Sequence, residues 1–209
     1  MSELLAFSGI VAAITVGAIS PGPSFLMVAR TAVAQGRSAG LLTALGMGLG
    51  AVLFAWVTLL GVGALLHAVP WLYQGFKLVG GVYLLWLGWR LWRGANEPLP
   101  LGVNATATPQ RHGRRQLALG FATQVSNPKT AVVYAGIFAA FVPQATSLVF
   151  DVAVLLSVGV IEAGWYAVVA TLLSAQRSRQ AYLRYKPWLD RVAGTVLGGL
   201  GVKLALAAA

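Results

Sequence analysis

Residues 4–29 read LLAFSGIVAAITVGAISPGPSFLMVA, with no Asp, Glu, Lys or Arg. A bilayer is crossed by about 20 apolar residues, so this run is long enough. Ser20-Pro21-Gly22-Pro23 breaks it. Proline removes a backbone donor and clashes with the preceding turn. In hydrocarbon such damage is tolerated only where protein or a water-filled cavity satisfies the freed groups. A second break, Ser126-Asn127-Pro128-Lys129, interrupts another apolar run in the second half of the chain. Broken helices at corresponding places in two halves point to a transporter binding site.

Composition sets the class. The 209 residues are 58% hydrophobic and 10% charged, with a mean hydropathy of +0.77. Soluble domains carry about 25% charged residues, so the chain reads as an all-α, polytopic membrane protein. The absence of cysteine excludes disulfides, thiolate metal sites and cysteine nucleophiles. Two histidines and five carboxylates offer no metal cluster. No nucleophile–base pair stands out either, so neither an enzyme, a metal nor a cofactor is expected. Met1-Ser2-Glu3 is acidic where a signal peptide has a basic n-region, and the first run is read as a retained helix.

Six spans are expected: 4–29, 39–66, 69–89, 116–142, 148–174 and 187–208. The sixth relies on Asp190, Arg191 and Lys203 reaching the interfaces. Lys and Arg fall on alternate loops. Arg30 and Arg37 lie between spans one and two. Arg90, Arg93, Arg111, Arg114 and Arg115 lie between three and four. Arg177, Arg179, Arg184 and Lys186 lie between five and six. The loops near His67–Pro70 and Pro143–Ser147 have none. The positive-inside rule places the three basic loops in the cytoplasm and both termini outside. The net charge of +10 is thereby a matter of topology, and no nucleic-acid partner is expected. Trp86, Trp89 and Trp92, with Tyr182, Tyr185 and Trp188, read as cytoplasmic interface belts; Trp71 and Tyr73 read as an outer one.

Three spans precede a Pro-, Ala-, Thr- and Arg-rich linker, 94–115, and three follow it. The division is a first repeat at 1–93 and a second at 116–209. An odd number of spans per repeat gives the halves opposite orientations, hence a 3+3 inverted-topology repeat with helices one and four broken. Each half ends in a glycine-rich helix, around Gly80-Gly81 and Gly198-Gly199. The sequon Asn104-Ala105-Thr106 falls on the cytoplasmic side, away from glycosylation. Small residues four apart, such as Gly46/Gly50 and Gly194/Gly198, are helix-packing surfaces within one subunit or between subunits of a homo-oligomer.

Several segments recur together in one known family. Pro21-Gly22-Pro23 precedes Gly36-Arg37-Ser38-Ala39-Gly40-Leu41, then Gly46 and Gly50. Lys77-Leu78-Val79-Gly80-Gly81-Val82-Tyr83-Leu84-Leu85-Trp86-Leu87-Gly88 follows, then Asn127-Pro128-Lys129. In this order they resemble the lysine exporter (LysE/RhtB) family of bacterial amino-acid efflux proteins, over nearly the whole chain. The resemblance implies an inner-membrane exporter of an amino acid or related small metabolite, driven by protons. Many members carry a histidine in the second span where this chain has Phe54, so a polar second-span site is not carried over.

Three ionisable residues stand within the expected spans: Lys77, Lys129 and Glu162. Such groups are functional hypotheses by default. An apolar site favours the neutral form of a carboxyl, which suits Glu162 to reversible protonation or to meeting an amino group; pairing with Lys129 or Lys77 is the structural alternative. Lys129 either meets a substrate carboxylate or bonds carbonyls freed at the break. Lys77 either acts within the membrane or snorkels outward. Ser20, Ser24 and Thr15 either line a cavity or bond upstream carbonyls.

The reading is a secondary transporter with its substrate site at midplane: Ser20, Pro21, Gly22, Pro23, Asn127, Pro128 and Lys129 bind, and Glu162 couples protons. Its partners are the amino acid, protons and membrane lipid. The rival readings are a passive small-solute channel and a non-transporting membrane subunit.

Overall fold

Pro23 starts a helix rather than merely ending one. In the computed structural model, which describes residues 2–68, 70–98, 113–143 and 145–207, α1 (Glu3–Ile19) stops where the Ser20 N–H donates to Val16 O. The chain turns through Pro21 and Gly22, and α2 (Pro23–Gln35) leaves at 52° to α1. Proline at the first helical position loses no bond, because that N–H has no partner inside a helix. The second break repeats the device. α5 (Gly113–Val125) ends, and α6 (Pro128–Phe141) begins with proline under an Asn127 cap.

The remaining helices are α3 (Arg37–Ala68), α4 (Pro70–Arg93), α7 (Leu148–Ser174) and α8 (Gln176–Leu206). Gly36, with φ +90°, is the one positive-φ residue among those described, and it makes the sharp turn from α2 into α3. α8 departs from the expected outline. Arg177 to Lys186, read above as a loop, is its helical first third, and Pro187 lies inside the helix. The charges there obscure a buried face: Tyr182 is not an interface anchor but stacks on Phe25 of α2 at 5.4 Å between ring centroids.

Among the described residues, α7 and the Arg37–Gly61 part of α3 are long and apolar enough to cross a membrane singly, and the bent α1–α2 pair makes a third such unit. Large apolar side chains point outward, including Leu49, Leu53, Trp56 and Leu60 on α3 and Val152, Leu156 and Val160 on α7. A water-soluble monomer does not expose so much contiguous apolar surface. Trp86, Trp89 and Trp92 are exposed at the end of α4, with Arg90 over Trp86, Arg93 over Trp89 and Arg191 over Trp92. The side chains of Trp71 and Tyr73, and residues 99–112 with the sequon and most of the expected linker, lie outside the described residues.

Glycine fixes the packing directions. A Cβ on Gly81 would meet the Gly201 carbonyl, and one on Gly201 the Gly81 carbonyl; Gly88 and Gly194 face each other in the same way. α4 and α8 are therefore antiparallel and in backbone contact. α3 and α7 are antiparallel too, with Gly40 against Ala170 and Gly48 against Ala163. α5 lies on α3, where Gly46 approaches Leu117 and Gly120 approaches Thr43. Two cores result. One gathers Ile10, Ile14, Leu84, Tyr134, Phe138 and Val154; the other gathers Phe25, Val28, Met47, Tyr166 and Leu173. The two breaks meet at the seam between them.

Candidate functional site

The half-helices α2 and α6 start alike: a cap (Gly22 or Asn127), then proline, then a polar residue (Ser24 or Lys129). Both polar residues reach across to the other break. Lys129 Nζ donates to the carbonyls of Ser20 at 2.6 Å and Gly17 at 3.2 Å, at the end of α1. A helix C-terminus carries partial negative charge, so a cation there is favoured. In the other direction, Ser24 Oγ donates to Gln124 Oε1 at 2.6 Å and accepts from Asn127 Nδ2 at 2.8 Å. The Asn127 Oδ1 atom accepts the Lys129 N–H at 3.0 Å, capping α6. A Cβ on Gly22 would lie 3.1 Å from Lys129 Cδ, so glycine there lets the lysine stem pass closely.

Glu162 enters from the middle of α7. It is buried, and its Oε1 accepts from the Tyr134 hydroxyl at 2.8 Å. Gln124 and Tyr166 stand beside the carboxylate, but its Oε2 makes no bond of full hydrogen-bonding geometry, and neither do the buried Ser20 Oγ and Gln124 Nε2. Buried polar atoms are nearly all bonded, so such a group calls for water or a ligand. Lys129 and Glu162 do not pair directly, since the ammonium takes carbonyls and the carboxylate takes the tyrosine. They line one cavity of about 20 Å³ with Ser20, Gly22, Ser24 and Asn127, room for about one water.

A wider cavity of about 660 Å³ adjoins it. Pro21, Pro23 and Pro128 line this space, and Gly22, Asn127 and Lys129 border both cavities. Its other walls come from the end of α4 and from Lys186 and Asp190 of α8. The sequence-derived residues thus converge, with the prolines turned to the larger space. Thr15 instead donates to Val11 O, within its own helix. Lys77 borders neither cavity.

Several polar residues of the site went unread in the sequence. Gln124, Tyr134 and Tyr166 are uncharged and sit in apolar runs, which gives no linear signal. The sequence reading puts Asp190 at an interface and Lys186 in a basic loop, yet both are buried and paired at 2.9 Å. Their i, i+4 spacing was the available sign.

A family model described as "LysE type translocator" matches residues 15–208. The chain belongs to the LysE family. It is 29% identical over 189 residues to the threonine efflux protein of Escherichia coli (strain K12), covering 90% of this chain and 92% of that protein. It is 30% identical over 126 residues to the leucine efflux protein of Enterobacter sp. (strain 638), covering 58% of this chain and 56% of that protein. The uncharacterized membrane protein YahN of Escherichia coli (strain K12) is 27% identical over 194 residues, covering 88% of this chain and 82% of that protein. No solved structure matches the chain. The LysE family is one of membrane-bound amino-acid efflux proteins, so the resemblance read from the proline breaks is membership. In this LysE protein Phe54 packs edge-on against Tyr134 at 6.3 Å between centroids, one side chain away from Glu162.

Proposed function

We propose that this LysE-family protein exports an amino acid or close analogue across the bacterial inner membrane, coupled to protons. The observation that carries the reading is the polar seam where two proline breaks brace each other inside an otherwise apolar bundle. The substrate carboxylate is received at Lys129. Two of the three ammonium hydrogens are committed to carbonyls, which leaves one for a ligand. The α2 N-terminus has no side-chain cap, so its first amides add anion-binding donors. Ser20, Asn127 and the prolines shape the pocket. Glu162, whose Oε2 makes no bond of full hydrogen-bonding geometry, carries the proton.

The architecture proposed is six spans in a 3+3 inverted repeat, 1–93 and 116–209, with α1–α2 and α5–α6 as the broken spans. The matched cap, proline and polar residue at α2 and α6 support it, as do the antiparallel α3–α7 and α4–α8 pairs. With both termini outside, the wide cavity opens toward the Arg90 and Arg93 end of α4, which is the cytoplasmic side. This is the access an exporter needs for loading.

Purified protein in proteoliposomes tests the reading. Loaded amino acid should leave faster under an imposed pH gradient, and should accumulate against its own gradient. Downhill flux indifferent to the pH gradient would make the protein a passive channel. No flux of any amino acid would make it a non-transporting subunit.

A further inference from the structure

The wide cavity holds a carboxylate that export as proposed above does not use. Asp190 lies in α8, 3% exposed, and borders that cavity. Its Oδ2 is 2.9 Å from Lys186 Nζ, while its Oδ1 has no hydrogen-bond partner. Lys186 is fully occupied elsewhere. Its ammonium donates to the carbonyls of Gly94 at 3.1 Å, Ala95 at 3.0 Å and Glu97 at 2.8 Å, tying the end of α4 to α8. Three hydrogens already serve four acceptors, so the lysine has nothing left for Oδ1.

We infer that Asp190 Oδ1 receives the ammonium group of the substrate in the cytoplasmic cavity, which makes the cavity a loading site for zwitterions. Lys129 borders the same cavity with opposite charge, and of the two carboxylates on the wall, Glu97 is exposed while Asp190 is buried with an unbonded oxygen. Arg90 and Arg93 at the other end attract carboxylates without distinguishing an amino acid from a hydroxy acid. Only a carboxylate rewards the ammonium. A volume of about 660 Å³ lies in the range of small-molecule sites, about 300–1,000 Å³. The inference rests on the reading that the chain carries amino acids.

Inside-out vesicles containing the full chain test it, with L-threonine and L-leucine as transported probes. Their 2-hydroxy acid counterparts, in which a hydroxyl replaces the amine, serve as competitors. Asp190→Asn should raise the cytoplasmic-side KM for the amino acid about tenfold or more, the loss of one charge-assisted bond. The hydroxy acid should compete unchanged, so the preference for the amine collapses. That ratio does not depend on how much protein inserts. If Asp190 serves only to neutralise Lys186, Asp190→Asn shifts the KM for the amino acid and the competition by the hydroxy acid by the same factor, the preference survives, and the inference is overturned. Wild-type vesicles that move the amino acid, with an Asp190→Asn variant of unaltered preference, overturn this inference alone. Wild-type vesicles that move neither probe overturn the export reading for both amino acids, and this inference with it.

Discussion

Lys129 Nζ lies 2.6 Å from the carbonyl oxygen of Ser20, so a side chain opening α6 caps the end of a helix 109 residues earlier. Both alternatives held open for this lysine therefore bear on one atom. It satisfies broken backbone, and under the function proposed above it also receives the substrate carboxylate. Removing it should affect stability and export together. Lys129→Met leaves the Gly17 and Ser20 carbonyls without their donor and should cost about 2–3 kcal/mol, since bonds to charged groups are worth about 1.5–3 kcal/mol. Thermal unfolding of the detergent-purified protein measures that loss. Lys129→Arg keeps the charge but brings a planar fork to a site fitted to a compact ammonium, and should export poorly. A Lys129→Met protein of normal stability and export would remove both roles.

Glu162 and Tyr134 give a second prediction. Glu162→Gln keeps the shape and an acceptor for the Tyr134 hydroxyl, but cannot change charge. It should still exchange labelled amino acid across vesicles while failing to concentrate it under a pH gradient. Tyr134→Phe removes the 2.8 Å bond and should lower stability by about 1 kcal/mol. Proton-driven accumulation by Glu162→Gln at the wild-type rate would take Glu162 out of the mechanism.

The glycine contacts predict a contrast along the α4–α8 pair. A Cβ on Gly88 would fall 2.5 Å from the Gly194 carbonyl oxygen, which is backbone and cannot turn aside. Gly88→Ala should destabilise by about 1–3 kcal/mol through overpacking. Gly199 has nothing within 4 Å of its Cβ position, and Gly199→Ala should be neutral or slightly stabilising. Equal Tm values for the two variants would mean that the helices part more readily than their contact implies.

Topology is open to direct labelling, because the chain has no cysteine of its own. A cysteine at Gln176, exposed at the start of α8, should be shielded from an impermeant thiol reagent in intact cells. One at Ala145, exposed before α7, should react. The reverse pattern would turn the protein over in the membrane and put the wide cavity outside.

The sequence was most legible where a residue forbids a conformation. Pro21, Pro23 and Pro128 allow little but a helix end or a helix start, and they marked both breaks to within a residue. Charge was a weaker guide. Lys129 and Glu162 stood out in apolar runs, but Asp190 and Lys186 lay close enough to a basic stretch to pass as surface. The helix containing them folds that stretch inward, which depends on Tyr182 finding Phe25, a contact between distant parts of the chain. Gln124, Tyr134 and Tyr166 illustrate the remaining limit. An uncharged polar side chain in an apolar helix faces either lipid or cavity, and only the packing of the other helices decides which.

The pairing of Ser24 with Lys129 is equal in position but unequal in strength. One half-helix clasps its neighbour with a neutral hydroxyl, the other with an ammonium. The ammonium meets carbonyls at the end of α1, whose partial negative charge it complements, while the Ser24 hydroxyl meets the neutral amides of Gln124 and Asn127. A charge-assisted bond outweighs a neutral one, so the crossing of the two breaks leans more on the lysine than on the serine.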